Sequence, residues 1–243
     1  MKIIITKNYK EMSKQAAEFI IDEVLKKPNL VLGFPSGETP MLMYKLLVKA
    51  YKNKKSKLNK KVDFSKIRCF SIDEYYPIKK SNKNSSYYYL NKNFLSHVNI
   101  KKSNINMLDS ENENPEKYCA KYEKKIKKNP IDILILGVGV NGHICFNEPG
   151  SKFNSKTRIV NLMNKTIKQN SRFFKKINDV PKSAMTMGIS TILSSNQIIL
   201  LASGKNKAKA IKHLINYPIS NNYPVSFLKN IRSRFPEEKM TKF

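Results

Sequence analysis

The chain has 243 residues, 40% of them hydrophobic, and a formal net charge of +28. That is enough for one large α/β domain or two small ones, with a sizeable core; no apolar stretch reaches the roughly 20 residues that span a bilayer, and the opening MKIIITKNYKEM is too short in its apolar run for a signal peptide. The basic excess is almost all lysine, with arginine only at positions 68, 158, 172, 232 and 234, and its densest runs (Lys49 to Lys61, Lys121 to Lys128, Lys165 to Lys176) lack the interleaved aromatics of a single-strand binder. Nucleic acid and membrane are therefore not expected as partners, although a positive field would draw an anionic substrate. Cys69, Cys119 and Cys145 are odd in number and show no CxxC spacing, which fits a reduced cytoplasmic protein and predicts no metal site.

Strand-like and helix-like segments alternate along the chain. Lys2 to Thr6 reads as a strand, and Glu11 to Lys26, with Met12, Ala16, Ile20 and Val24 on one face, as a helix. Asn29 to Phe34 is a short apolar strand, followed by a helix over Pro40 to Lys54. Ile67 to Ile72 reads as a strand, Ser86 to Val98 as a tyrosine-rich helix and Glu116 to Lys128 as a charged helix. The apolar run Ile131 to Leu136, broken only by Asp132, predicts a buried strand. Thr166 to Lys176 is expected to be helical, Ala184 to Ile189 and Gln197 to Ala202 strands, and Gly204 to Ile215 a helix. Strands separated by helices of this length imply a single α/β domain over residues 1–243, a modified doubly wound, mostly parallel sheet with helices on both faces.

Five segments carry polar chemistry at element ends. GFPSGETP, Gly33 to Pro40, joins a strand to a helix; Thr39 is the expected N-cap and Pro40 suits the first turn. Ser36, Gly37 and Thr39 would offer N–H groups and hydroxyls at a positive helix end, which suits a phosphate. A carboxylate there repels phosphate, so either Glu38 points away or the phosphate reading is wrong. Ser71-Ile72-Asp73-Glu74-Tyr75-Tyr76 ends another strand; its adjacent acids point in different directions, so one can face a cleft while the other serves structure. LGVGVNGHICFNEPG, Leu136 to Gly150, puts His143 five positions before Glu148 in a glycine-rich loop at a strand end, where open α/β sheets bind ligands. A histidine with a nearby carboxylate makes an acid–base pair. His143-Ile144-Cys145 is not H-x-E and no PCxxC follows, which excludes a zinc deaminase. Arg172, in SRFF, can grip phosphate bidentately, and SGKNKA adds Lys207.

Together, the loop before Pro40, IDEY, GHICFNEPG, the Ser151 to Arg158 stretch, SRFF with DVPKSAMTMGISTIL, and SGKNKA resemble, in one order over most of the chain, the glucosamine-6-phosphate deaminase family, aldose–ketose isomerases that also release ammonia. The resemblance implies a mobile lid over about 161–181. It implies that His143, oriented and charged by Glu148, assists opening of the sugar ring. Asp73, an aspartate near its ordinary pKa of about 3.9, then moves the proton from C2 to C1. It assigns the phosphate to Ser36, Gly37, Thr39, Arg172 and Lys207, and implies an amino-sugar phosphate substrate and no cofactor. Many members carry aspartate where this chain has Asn141, which completes a relay with the histidine and glutamate; asparagine can still orient the ring by accepting a hydrogen bond. Cys145 stands where a small residue is usual and is read as packing. Ser151 and Arg158 match the effector site of longer, hexameric members, but Val160 replaces an expected lysine, so a remnant with weak or absent allostery is expected. The assembly is left open from monomer to hexamer, homo-oligomers included. Rival readings are a 6-phosphogluconolactonase-type hydrolase, which needs no base for C2, and a non-catalytic sugar-phosphate or nucleic-acid binding protein.

Overall fold

A computed structural model describes residues 1–53 and 62–231; the end of the lysine run Lys49 to Lys61, the expected helix end at Lys54, and Arg232 and Arg234 lie outside them. Eight strands and seven α-helices are formed among the described residues. Five strands, β1 (Val31–Phe34), β2 (Arg68–Ser71), β4 (Ile105–Asn106), β5 (Ile133–Gly137) and β8 (Gln197–Leu201), make a parallel sheet in the order β4-β2-β1-β5-β8. Three others, β3 (Asp73–Tyr76), β6 (Arg158–Asn161) and β7 (Ser183–Thr186), make an antiparallel sheet in the order β3-β7-β6.

The parallel sheet is buried on both faces, so its central strands are apolar without interruption. Successive side chains of β5 alternate between faces. Ile133 and Ile135 join the core formed with α1 (Tyr9–Lys26), α2 (Met41–Lys52) and α3 (Ser86–Asn93), where Phe34, Tyr44, Phe64 and Phe94 meet edge to face or stacked. Leu134 and Leu136 join a second core with α4 (Pro115–Lys128), α6 (Ile189–Leu193) and α7 (Ala208–Asn216). Asp132, the one polar break in the run, is buried and accepts from Lys27 Nζ (2.7 Å), the Val31 amide (2.9 Å) and Asn196 Nδ2 (3.2 Å), tying the starts of β1, β5 and β8 together.

The strand order places the topological switch point between β1 and β5: the chain goes from β1 outward through β2 to β4 on one side, and from β5 to β8 on the other. The loops leaving the C-terminal ends of β1 and β5 therefore flank one crevice, the usual ligand position in such sheets.

Three sequence expectations need correction. Lys2 to Thr6 forms no strand, and Ile3, Ile4 and Ile5 are 52%, 61% and 92% exposed; β-branched residues favour a strand only where a neighbouring strand supplies hydrogen bonds and packing, and no described strand pairs with them. Ser71 to Tyr76 is not one strand end but a crossover, because Ile72 separates β2 from β3 and Asp73 opens the second sheet. Ala184 to Ile189 ends at Thr186 and runs antiparallel, and Ile189 already belongs to α6; a short buried apolar run does not announce its direction. The sequence reading also missed β6. The helix expected over Thr166 to Lys176 is α5 (Asn164–Asn170) followed by a 3₁₀ turn, Ser171–Phe173.

Candidate active site

The β5 loop holds His143 by close backbone approach. A Cβ on Gly139 would fall 2.2 Å from His143 Cε1, so the ring packs where a side chain would otherwise stand. His143 Nδ1 lies 3.5 Å from Glu148 Oε2, within ion-pair reach but out of line for a hydrogen bond, and this buried nitrogen has no hydrogen-bond partner among the described residues. Asn141 was expected to orient the ring. Instead, its Nδ2 donates to Glu148 Oε2 (2.8 Å) and its Oδ1 accepts from the His143 amide (3.3 Å), and it makes no bond to the ring. A carboxamide has a donor that a carboxylate lacks, and Glu148 takes it.

Glu148 is almost buried, at 7% exposure, and is the hub of this cluster. Its second oxygen, Oε1, accepts from Thr166 of α5, itself buried. Burial pushes the Glu148 carboxyl up, but the nearby His143 ring and its charge, then the bonds from Thr166 and Asn141, outweigh it and hold the pKa below the ordinary glutamate value. The preceding residue, Asn147, anchors the FNEP turn: its Nδ2 donates to Ile144 O (3.0 Å) and Met187 O (2.7 Å), and its Oδ1 accepts from Arg158 Nη1 (3.0 Å).

Asp73 and Glu74 divide as alternating strand residues do. Glu74, 1% exposed, turns inward and accepts from the amides of Ser86 (2.8 Å), Tyr87 (3.0 Å) and Tyr75 (2.9 Å), where a carboxylate suits the start of α3. Asp73 takes the other face. Burial around its carboxyl pushes the pKa up to about 7, against the opposing pull of the His143 charge and the nearby Ser86 hydroxyl. The expectation of an ordinary aspartate pKa is thus corrected: low-dielectric surroundings disfavour the anion, and Asp73 stands half-ionised near neutrality.

The β1–α2 loop brings in Ser36, Gly37 and Thr39. Gly37 has φ +105°, the left-handed region that glycine enters freely. Tyr89 Oη donates to Gly37 O (2.5 Å), Tyr9 Oη to Glu38 O (3.0 Å) and Ser86 Oγ to Ser36 Oγ (2.9 Å), so two other elements, α1 and α3, brace the loop. The N-cap of α2 is Pro40, not Thr39, and no side chain caps this helix. Glu38 does not point away. It pairs with Arg172 across the site, Nη2 to Oε2 at 3.0 Å. Lys207 shares this neighbourhood: burial, then the Arg172 charge, hold its pKa below the ordinary lysine value, while Glu38 works against them.

Residues 162–182 leave β6 and return to β7, which pair with each other from Arg158↔Thr186 to Asn161↔Ser183. This excursion reaches over the site through Thr166 on Glu148, Arg172 on Glu38, Asn170 Nδ2 on Tyr75 Oη (2.8 Å), Phe174 edge-on to the Tyr75 ring, and Phe173 O, which accepts from Asn84 Nδ2 (2.8 Å). Ser151 and Arg158 face a separate cavity of about 470 Å³ beside Glu148, lined also by Val160 and not by Asp73 or His143. Cys145 is half-buried against the second core, as its packing role requires. Thr166, Tyr75 and Asn147 were not singled out from sequence; nothing in NKTIKQN marks a threonine that will bond a carboxylate 18 residues earlier. No cluster of three or more histidine, cysteine, aspartate or glutamate side chains suited to a metal occurs among the described residues, and no described helix is long and apolar enough to cross a membrane.

Residues 7–235 match the family described as glucosamine-6-phosphate isomerases/6-phosphogluconolactonase. The glucosamine-6-phosphate deaminases of Clostridium novyi (strain NT) and Clostridium botulinum (strain Langeland) are each 48% identical over 230 residues, covering 94% of this chain and 93% and 92% of theirs. A solved monomeric glucosamine-6-phosphate deaminase superposes with a TM-score of 0.89 at 38% identity over 94% of this chain and 93% of its own. The 6-phosphogluconolactonase of Trypanosoma cruzi, at 21% identity and a TM-score of 0.74 over 95% of this chain and 90% of its own, shares the fold. With the sheet order, the crevice and its residues as described, the chain belongs to the glucosamine-6-phosphate isomerase/6-phosphogluconolactonase family.

Proposed function

We propose that this chain converts glucosamine 6-phosphate and water to fructose 6-phosphate and ammonia by acid–base catalysis, without a cofactor. The observation that carries this reading is Asp73: a carboxyl at the start of β3, just past the C-terminal end of β2, close enough to His143 to feel its charge, with burial pushing its pKa up to about 7. A base poised near the working pH is what proton transfer between adjacent carbons requires. His143 passes a proton between the C1 hydroxyl and the ring oxygen, opening the ring, and Glu148 holds the imidazole in place. Asp73 takes the proton from C2 of the open aldehyde and returns it to C1. The C2 imine that results adds water and expels ammonia, leaving a ketone. Ser36, Gly37, Thr39, Arg172 and Lys207 hold the phosphate, and this remote grip keeps C2 beside Asp73. The segment 161–181 acts as the lid, and Ser151 and Arg158 are a remnant of an effector site. The deaminases at 48% identity and the close superposition on a monomeric deaminase support the reading, as does the intact set Asp73, His143 and Glu148. Cytoplasmic location is proposed with it, on the three unpaired cysteines.

The test is release of ammonia and fructose 6-phosphate from glucosamine 6-phosphate, beside hydrolysis of 6-phosphogluconolactone. Equimolar products with no lactone hydrolysis are expected; the reverse pattern would make the chain a lactonase.

Thr166 links the proposed lid to the acid–base pair. Hydrogen bonds to charged groups contribute about 1.5–3 kcal/mol, so Thr166→Val is expected to lower kcat/KM by about tenfold and Thr166→Ser to restore it. Steady-state kinetics of both variants checks this; equal activity in Thr166→Val and wild type would remove Thr166 from the mechanism.

A further inference from the structure

We infer that Glu38 is a built-in competitor of the substrate's phosphate: in the resting protein its carboxylate occupies the Arg172 guanidinium that the phosphate must grip. The inference rests on the reading of Ser36, Gly37, Thr39, Arg172 and Lys207 as the phosphate site.

Three observations point the same way. The Arg172–Glu38 pair joins residues 134 positions apart, from the excursion between β6 and β7 to the β1–α2 loop, so it closes across the site and not along one element. The loop's own shape does not depend on the Glu38 side chain, because Tyr9 and Tyr89 bind the backbone oxygens of Glu38 and Gly37. Lys207 is half-buried and its charge is disfavoured by Arg172, so two cations face each other beside a helix start with Glu38 as the acid that offsets them.

The chemistry is an exchange of anions. Without substrate, Arg172 and Lys207 carry two positive charges and Glu38 returns one negative. A phosphate dianion brings more charge and more acceptor oxygens, and an arginine can meet it through two parallel bonds. The resident pair is weak, with 56% of the Arg172 and 66% of the Glu38 side chain exposed, and exposed ion pairs of this kind are easily displaced. Phosphate therefore wins, but its apparent affinity is reduced by the fraction of molecules in which Glu38 holds the arginine. Because Glu38 touches the remote end of the substrate, its effect falls on binding of ground and transition states alike, which moves KM and leaves kcat nearly where it was.

The decisive experiment is calorimetric titration of the full chain with inorganic phosphate, in wild type, Glu38→Gln, Arg172→Gln and the double variant. Glu38→Gln is expected to tighten phosphate about fivefold, and the same substitution in the Arg172→Gln background to change it by less than twofold. In parallel, KM for glucosamine 6-phosphate should fall about fivefold in Glu38→Gln. Glu38→Asp, which keeps the charge but shortens the reach, should lie between. Unchanged or weaker phosphate binding in Glu38→Gln overturns the inference, and so does a lack of phosphate binding by every form. Tighter phosphate binding without turnover of the amino sugar would uphold the role of Glu38 and reject the proposed reaction instead.

Discussion

Replacing Asp73 by asparagine is expected to lower turnover of glucosamine 6-phosphate by about 10³-fold, the scale of a positioned general base, with KM changed little. Asparagine keeps the shape and removes only the proton acceptor. The fold should not suffer, since burial already disfavours the Asp73 anion and has pushed its pKa up to about 7. The same shift sets the pH dependence of the wild-type enzyme. A base works only when deprotonated, so kcat/KM should be low in acid, rise through a pH of about 7 and level off above it. Glu148, whose pKa lies below the ordinary glutamate value, stays ionised across that range. Coupled detection of fructose 6-phosphate across a pH series checks both parts. An asparagine variant that keeps more than a tenth of the activity would exclude Asp73 as the base; a wild-type acid limb near 4 would return its carboxyl to the ordinary aspartate range.

The second large effect is expected at Arg172. Arg172→Gln removes a charge and the paired donors proposed to grip the phosphate. With charge-assisted bonds contributing about 1.5–3 kcal/mol and 1.4 kcal/mol equal to a tenfold change, KM should rise by about 10- to 100-fold. Lysine at this position should recover only part of the loss, because an ammonium is a point charge that cannot reproduce the planar fork. Arg172 also carries the contact of the excursion with the β1–α2 loop, so kcat should fall too, by a smaller factor. Initial-rate kinetics over a wide substrate range separates the two; a KM within twofold of wild type would place the phosphate elsewhere.

Much of the site was legible before any fold. The pairing of His143 with Glu148, and the division of labour between Asp73 and Glu74, follow from spacing and strand alternation, which are local. Less legible were the partners that arrive from far along the chain. Asn141 was expected to orient the ring by accepting a hydrogen bond, yet its bonding partner is the carboxylate and not the ring. Glu38 was expected to point away from the β1–α2 loop, yet it pairs with Arg172. Both outcomes depend on where a second segment lands, and the spacing within one segment does not contain that information.

The sequence by itself determined the alternation of elements, the two-sided burial of the central strands and the placing of polar loops at strand ends. Each follows from periodicity and backbone geometry within a few residues. Only the tertiary structure decided that Ile3 to Ile5 pair with no described strand, that β3, β6 and β7 form a separate antiparallel sheet, and that Asp73 has a pKa near 7. A strand's partners, and the dielectric surroundings of a carboxyl, are set by the atoms brought around it, and those come from other parts of the chain.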